Sequence, residues 1–260
     1  MNFLKKSLGQ NFLIDKNVIK KIVNLVGVNN KNIIEIGPGK GALTNEILRR
    51  KPKSLSIIEK DKNLADNLKI SYKKNKNVKV YEEDILKFNI EKIVYEDSII
   101  FGNLPYNISS QILVKLLKFK FWPPKFNNLI LMFQKELGDK IIGKFNTNGY
   151  GRLSILSNYK LKLLKKFFIS PNCFFPRPKV TSVVLHLKPI VNKSFKIKNI
   201  KNLEEVTNIM FSNKRKMIKK NIKKVVNDEE IKTIKDLNLN HRPSEVKPEI
   251  YYKITEFYEK

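Results

Sequence analysis

The chain has 260 residues, with 52 lysines and arginines against 24 acidic residues and a net charge of +28, a surplus that draws polyanions through Coulomb steering and counterion release. Hydrophobic residues at 42% and aromatics at 10% exclude a disordered chain and permit a sizeable core. One cysteine, Cys173, and two histidines, His186 and His241, exclude an intrachain disulfide framework and a His/Cys zinc site.

No apolar run approaches the roughly 18 to 20 residues of a membrane-spanning helix, and MNFLKKSLGQNFLID (1–15) has no apolar signal-peptide region. The expectations are a cytoplasmic, metal-free monomer with no membrane association and nucleic acid as its partner.

In chain order, KNVIKKIVNLV from residue 16 sets Val18, Ile19, Ile22, Val23 and Val26 on one helical face, with Asp15 placed as its cap. Strands and helices then alternate. NIIEI (32–36), LSIIE (55–59), VKVYE (78–82), SIIF (98–101) and NLILMF (128–133) are predicted strands separated by helical patterns, which implies a parallel sheet covered on both faces. LLKKFFIS (163–170) and TSVVLHLK (181–188) have no long helix between them and are expected as an antiparallel pair closing the sheet edge.

After Pro189 the chain turns polar and basic, with helices expected near 201–211, 214–226 and 248–258. The predicted fold is α/β, a doubly wound, mostly parallel sheet over 1–189 with a small C-terminal helical domain over 190–260.

EIGPGKGAL (35–43) follows a strand and opens a helix, so its glycines allow a tight turn and close approach of a ligand to the backbone. Glu59 lies twenty residues after Gly39 and ends the next strand, where a carboxylate can accept bonds from both ribose hydroxyls. The loop alone fits either a relaxed dinucleotide pattern or that of S-adenosylmethionine binders. Asp84 and Ile85, in EEDIL, follow the third predicted strand, where Asp84 could accept from an adenine amine or simply cap a helix.

FGNLPYN (101–107) ends the fourth predicted strand, beside the glycine loop in a doubly wound sheet. Pro105 fixes its own φ and disfavours a helical Leu104, turning the Asn103 side chain and nearby carbonyls towards one pocket. An exocyclic amine of adenine is a poor nucleophile because its lone pair is delocalised into the ring. Accepting its two protons favours a pyramidal, nucleophilic nitrogen, and the Asn103 amide oxygen with the Leu104 or Pro105 carbonyl suits that task. Tyr106 offers a face on which an extruded base can stack, and Phe174 or Phe175 in PNCFFPRPKV could cover the other face. Amine methylation needs no thiolate nucleophile, so Cys173 is read as packing, and neither histidine is assigned as a base.

Together these motifs resemble the small-subunit ribosomal RNA adenine dimethyltransferases (the KsgA family), class I S-adenosylmethionine enzymes related to the erythromycin-resistance methylases. The likeness covers nearly the whole chain: KKSLGQNFLID, EIGPGKGALT, IEKD, EEDIL, NLPYN and FFPRPKVTSVV. It implies that Gln10, Asn11 and Leu13 line the cofactor site with Gly37, Gly39, Glu59, Asp84, Ile85 and Asn103. It likewise implies that Asn103, Leu104, Pro105, Tyr106 and Phe174 hold the target adenine. The implied substrate is two adjacent adenosines near the 3′ end of 16S RNA in a late small-subunit particle, with S-adenosylmethionine as methyl donor.

Resistance methylases share most of these motifs but act on large-subunit RNA. The Leu of NLPYN, the basic run FSNKRKMIKKNIKK (211–224) and the ending HRPSEVKPEIYYKITEF resemble the small-subunit side. In that run Lys214, Arg215, Lys216, Lys219, Lys220, Lys223 and Lys224 are expected to line one helix and engage phosphates without reading bases. Lysine heavily outnumbers arginine, which leaves few bidentate phosphate contacts. A noncatalytic assembly or transcription factor is the second class of function, opposed by the complete NLPY and glycine motifs. A nicotinamide dehydrogenase, resting on the glycine loop alone, is the third.

Overall fold

The computed structural model describes residues 11–191 and 194–260. Within them the chain divides into two compact units, one of residues up to Gly138 with Lys162–Pro189, the other of Asp139–Leu161 with Ile190–Lys260. The division anticipated at 189/190 therefore misses Asp139–Leu161, which groups with the helical unit.

In the first unit, apart from Leu161 at the start of β7, the strands are β1 (Phe12–Leu13), β2 (Asn32–Ile36), β3 (Ser54–Glu59), β4 (Val78–Glu82), β5 (Ser98–Asn103), β6 (Phe126–Gln134), β7 (Leu161–Ile169), β8 (Phe174–Phe175) and β9 (Ser182–Pro189). Seven form one sheet in the order β4-β3-β2-β5-β6-β9-β7. The neighbours from β4 to β6 run parallel, and β9 is antiparallel to β6. Five strands coincide with the predicted runs to within two residues, and the two late ones lie side by side at the sheet edge.

The central strands form because their Ile- and Leu-rich runs can be buried on both faces. Ile33 stands level with Leu55 on one side and Ile99 on the other, and all three are almost fully buried. Helices α1 (Lys16–Val23), α2 (Ala42–Arg49) and α3 (Lys62–Ser71) return the chain between strands. Asp15 caps α1 as expected, its Oδ1 accepting from the amides of Asn17 and Val18, each at 2.9 Å. Ile19, Ile22 and Val23 of α1 then pack with Ile47, Leu55, Ile57 and Phe101 in one apolar cluster, each such side chain contributing about 1.5–3 kcal/mol by leaving water. Helices α4 (Ser109–Leu117) and α5 (Lys135–Ile141) follow β5 and β6.

In the second unit, α6 (Arg152–Lys160), α7 (Ile200–Met210), α8 (Lys219–Ile222), α9 (Asp228–Thr233) and α10 (Pro248–Tyr258) gather around tyrosines. Tyr251 is fully buried, stacks on Phe211 at 5.6 Å and donates to the Pro243 carbonyl. Tyr252 donates to the Ile155 carbonyl, so this aromatic core satisfies its hydroxyls from within.

The basic run departs from the expected helix. Lys214, Arg215 and Lys216 lie in turns, only Lys219 and Lys220 fall in the four-residue α8, and Lys223 and Lys224 lie in turns beyond it. The Ile218 amide donates to the His241 carbonyl at 2.9 Å, a bond that replaces the intrahelical one. Asn221 turns its amide back to the Met210 carbonyl and Ser212, and crowded like charges disfavour propagation. All seven basic residues are exposed.

Candidate cofactor and base site

Adjacent parallel strands β3, β2 and β5 deliver their C-terminal ends to one cavity. Its lining includes Asn11, Gly37, Gly39, Glu59, Asp84, Ile85, and Asn103 to Tyr106, so most residues singled out in the sequence converge. Gln10 lies outside the described residues.

Gly37 and Gly39 have φ of 67° and 58°, in the left-handed region that costs an L-residue about 1–2 kcal/mol. A Cβ on Gly37 would stand 3.3 Å from the Asn103 carbonyl oxygen, and one on Gly39 would press 2.7 Å from Cδ1 of Phe12. Glycine at both positions therefore lets the loop approach the NLPY turn and lets the Phe12 ring lie over the loop.

Glu59 is 8% exposed. Its Oε2 accepts from the Gly39 amide at 3.3 Å and its Oε1 from the Asp61 amide at 2.9 Å. Burial nevertheless holds its carboxyl above the ordinary range, outweighing those bonds. Asp84 shows the opposite balance: Lys60, 2.8 Å from its Oδ2, holds it below the usual carboxylate range, helped by the Leu86 amide on Oδ1. Two carboxylates thus face one cavity with different electrostatic settings.

Asn103 donates through Nδ2 to the Asn11 carbonyl at 3.1 Å, which orients the amide and leaves Oδ1 as an acceptor. Tyr106, half-buried, shares a hydrogen bond with Ser182 Oγ on β9, so its ring is held from the hydroxyl end. Burial pushes the Tyr106 hydroxyl above its ordinary pKa, and it stays protonated at neutral pH.

Leu13 and Phe174 fall elsewhere. Strand β1 pairs with β8, Leu13 opposite Phe174 and Phe12 opposite Phe175. Side chains alternate across a strand, and both Leu13 and Phe174, each 3% exposed, join the apolar cluster. Neither lines the cavity. Phe12, on the other face of the ladder, does, and the sequence reading passed it over because a two-residue strand carries no periodicity. Lys60 was also passed over, although IEKD displays it between Glu59 and Asp61.

The donor set fits a nucleoside cofactor: two glycines that bring the backbone close, an acidic strand end for ribose hydroxyls, and apolar Ile85 beside Asp84 for a base. Among the described residues no cluster of metal-ligating side chains occurs, and no helix is long and apolar enough to cross a membrane.

Comparison with known proteins agrees with this geometry. The family model described as "Ribosomal RNA adenine dimethylase" matches residues 1–260. A protein of Pelagibacter ubique named "Ribosomal RNA small subunit methyltransferase A" is 47% identical over 259 residues, 98% of this chain and 97% of that protein. A protein of the same name from Wolbachia of Drosophila simulans is 42% identical over 229 residues, 87% of this chain and 82% of the other. Among solved structures, a dimethyladenosine transferase from Plasmodium falciparum superposes with a TM-score of 0.74 at 23% identity, covering 94% of this chain and 95% of that one. It shares the fold of a class I methyltransferase.

Proposed function

We infer that this chain, which belongs to the ribosomal RNA adenine dimethylase family, transfers methyl groups to the exocyclic amines of adenine in small-subunit ribosomal RNA. The observation that carries the reading is the convergence of Asn103, Leu104, Pro105 and Tyr106 with Gly37, Gly39, Glu59 and Asp84 on one cavity. S-adenosylmethionine, when bound, supplies a methyl group activated on a sulfonium.

Glu59 would accept from ribose hydroxyls, Asp84 and Ile85 would hold the cofactor's adenine, and the glycine loop would bring backbone amides to the rest. Asn103 Oδ1 and the Leu104 or Pro105 carbonyl accept the two amine protons of the target. That would localise the nitrogen lone pair for attack on the methyl carbon, with the carbon–sulfur bond breaking as its electron pair returns to sulfur and the methylated nitrogen then losing its surplus proton to solvent. The ring of Tyr106 stacks on the extruded base, held by its bond to Ser182.

Small-subunit RNA is favoured over large-subunit RNA by the name its relatives carry at 47% and 42% identity. The target by resemblance is two adjacent adenosines near the 3′ end of 16S RNA, each methylated twice. The exposed basic residues from Lys214 to Lys224 engage phosphates without reading sequence, from turns and the short α8 rather than one long helix face. A cytoplasmic setting, where small subunits assemble, belongs to the same reading.

Methyl transfer from labelled S-adenosylmethionine to unmethylated small subunits, with large-subunit RNA in parallel and nucleoside analysis of both, tests this. Dimethyladenosine in small-subunit RNA alone is the expected result. Labelling confined to large-subunit RNA would make the chain a resistance-type methylase, and cofactor binding without labelling would make it an assembly factor.

A further inference from the structure

Among the described residues no strand pairs with the outer edge of β7. This strand ends the order β6-β9-β7 and extends for nine residues, about 30 Å, with every residue from Lys162 to Lys166 and Phe168 exposed. Alternation puts Lys162, Leu164, Lys166 and Phe168 on one face and directs Phe167 and Ile169 towards the apolar cluster. Phe168 is 50% exposed and Leu164 46%. The Lys135 and Lys166 ammonium groups stand 5.5 and 5.9 Å from the Phe168 ring centroid.

Lysines on an edge strand guard against pairing with other strands, but that duty does not account for a half-exposed aromatic ring flanked by Lys166 of the strand and Lys135 of α5. A lysine-flanked aromatic on an extended track is instead the pattern that binds single-stranded nucleic acid, with phosphates beside ammonium groups and a base on the ring. Charge supports that occupant over a protein or a cationic ligand: no acidic residue occurs in the sequence between Asp139 and Glu204, a span that holds all of β7, although Glu136 adjoins Lys135 on α5.

The Phe168 end is also tied to the cavity. Lys135 donates its amide to the Thr181 carbonyl at 2.9 Å, and the next residue, Ser182, bonds the Tyr106 hydroxyl. Tyr106 lines the cavity.

We propose that the β7 face carrying Lys162, Leu164, Lys166 and Phe168, with Lys135, is a track for single-stranded RNA flanking the nucleotide held in the cavity. Phe168 stacks a flanking base and the lysines take phosphates. The proposal rests on the methyl-transfer reading for the identity of the RNA but not for the binding itself.

The test is fluorescence anisotropy of a short labelled oligoadenylate over a salt series, with wild-type protein, Phe168→Ala, Phe168→Tyr and the double variant K162Q/K166Q. Phe168→Ala is expected to weaken binding roughly tenfold while Phe168→Tyr retains it. The double variant is expected to lower the slope of log affinity against log salt by about 0.7 per lysine. With small subunits as substrate, both losses should appear in KM and leave kcat unchanged. Wild-type affinity and salt slope in the double variant, whose exposed lysines are not needed for folding, would overturn the track. So would binding lost only on substituting Lys214–Lys216. Failure of the wild type to methylate any ribosomal RNA, with the oligoadenylate pattern intact, would instead sink the functional reading and leave the track standing.

Discussion

Asn103 and Asn11 meet across 92 positions of sequence, the Nδ2 of one donating to the main-chain carbonyl of the other at 3.1 Å. The bond fixes which way the Asn103 amide faces. With its donor engaged, the acceptor Oδ1 is the group offered to a ligand in the cavity that both residues line.

Asn103→Ala removes that acceptor and leaves the strand end in place. Losing one preorganised polar contact to the reacting group lowers kcat by about 10²–10³-fold, whereas the lost bond to Asn11 weakens cofactor affinity by about tenfold or less. Single-turnover methylation and calorimetric titration with S-adenosylmethionine separate the two. Unchanged turnover would remove Asn103 from the chemistry.

Glu59→Gln should behave the opposite way. Its carboxylate already holds the Gly39 and Asp61 amides, and on the proposed reading the ribose hydroxyls would add donors to the same oxygens. Hydrogen bonds to a charged group contribute about 1.5–3 kcal/mol, so affinity for S-adenosylmethionine falls roughly 10- to 100-fold while kcat at saturation stays near wild type. A fall in kcat with affinity intact would place Glu59 in the transfer step.

Much of this was readable from sequence because period and chain order carry it. Runs such as NIIEI and SIIF, short and alternating with helical patterns, read as buried strands, and the glycine loop, Glu59, Asp84 and NLPY follow successive strands whose ends a doubly wound sheet brings together. Other features depend on one residue of parity or on distant contacts. Phe12 rather than Leu13 faces the cavity, and Phe174 rather than Phe175 enters the core, because of how a two-residue ladder is registered. The run from Lys214 to Lys224 reads as a helix until the His241 carbonyl takes the Ile218 amide. Asp139–Leu161 joins the helical unit through pairs such as Tyr150 with the Val246 carbonyl and Tyr252 with the Ile155 carbonyl, which no local pattern announces.

Gly39→Ala tests the close approach of loop and ring. The new methyl would meet Phe12 at 2.7 Å in a backbone with φ of 58°, so strain of about 1–2 kcal/mol adds to displacement of a cavity-lining ring. Both thermal stability and cofactor affinity should fall. Phe12→Ala in the same background should recover part of the loss, the contact component, and leave the backbone component. No recovery would show that the ring is not what the glycine accommodates.

Glu35 gives the pH dependence a sign. It is buried near the end of β2, its Oε2 accepts from Thr44 Oγ at 2.7 Å and its Oε1 has no partner among the described residues. Burial raises its pKa from 4.5 to about 7, the Thr44 bond opposing and the Glu59 charge reinforcing the shift. The folded protein therefore keeps a proton that the unfolded chain releases, so the stability this group contributes is complete below about pH 4.5 and is lost as pH rises to about 7. At 1.36 kcal/mol per unit the loss is on the order of 3 kcal/mol. Glu35→Gln keeps an acceptor for Thr44 and cannot ionise, so the difference in unfolding free energy between variant and wild type should grow across that window and level off above it. Urea unfolding at a series of pH values reads that difference directly, and a constant offset would mean that Glu35 is already ionised in the folded protein at pH 5.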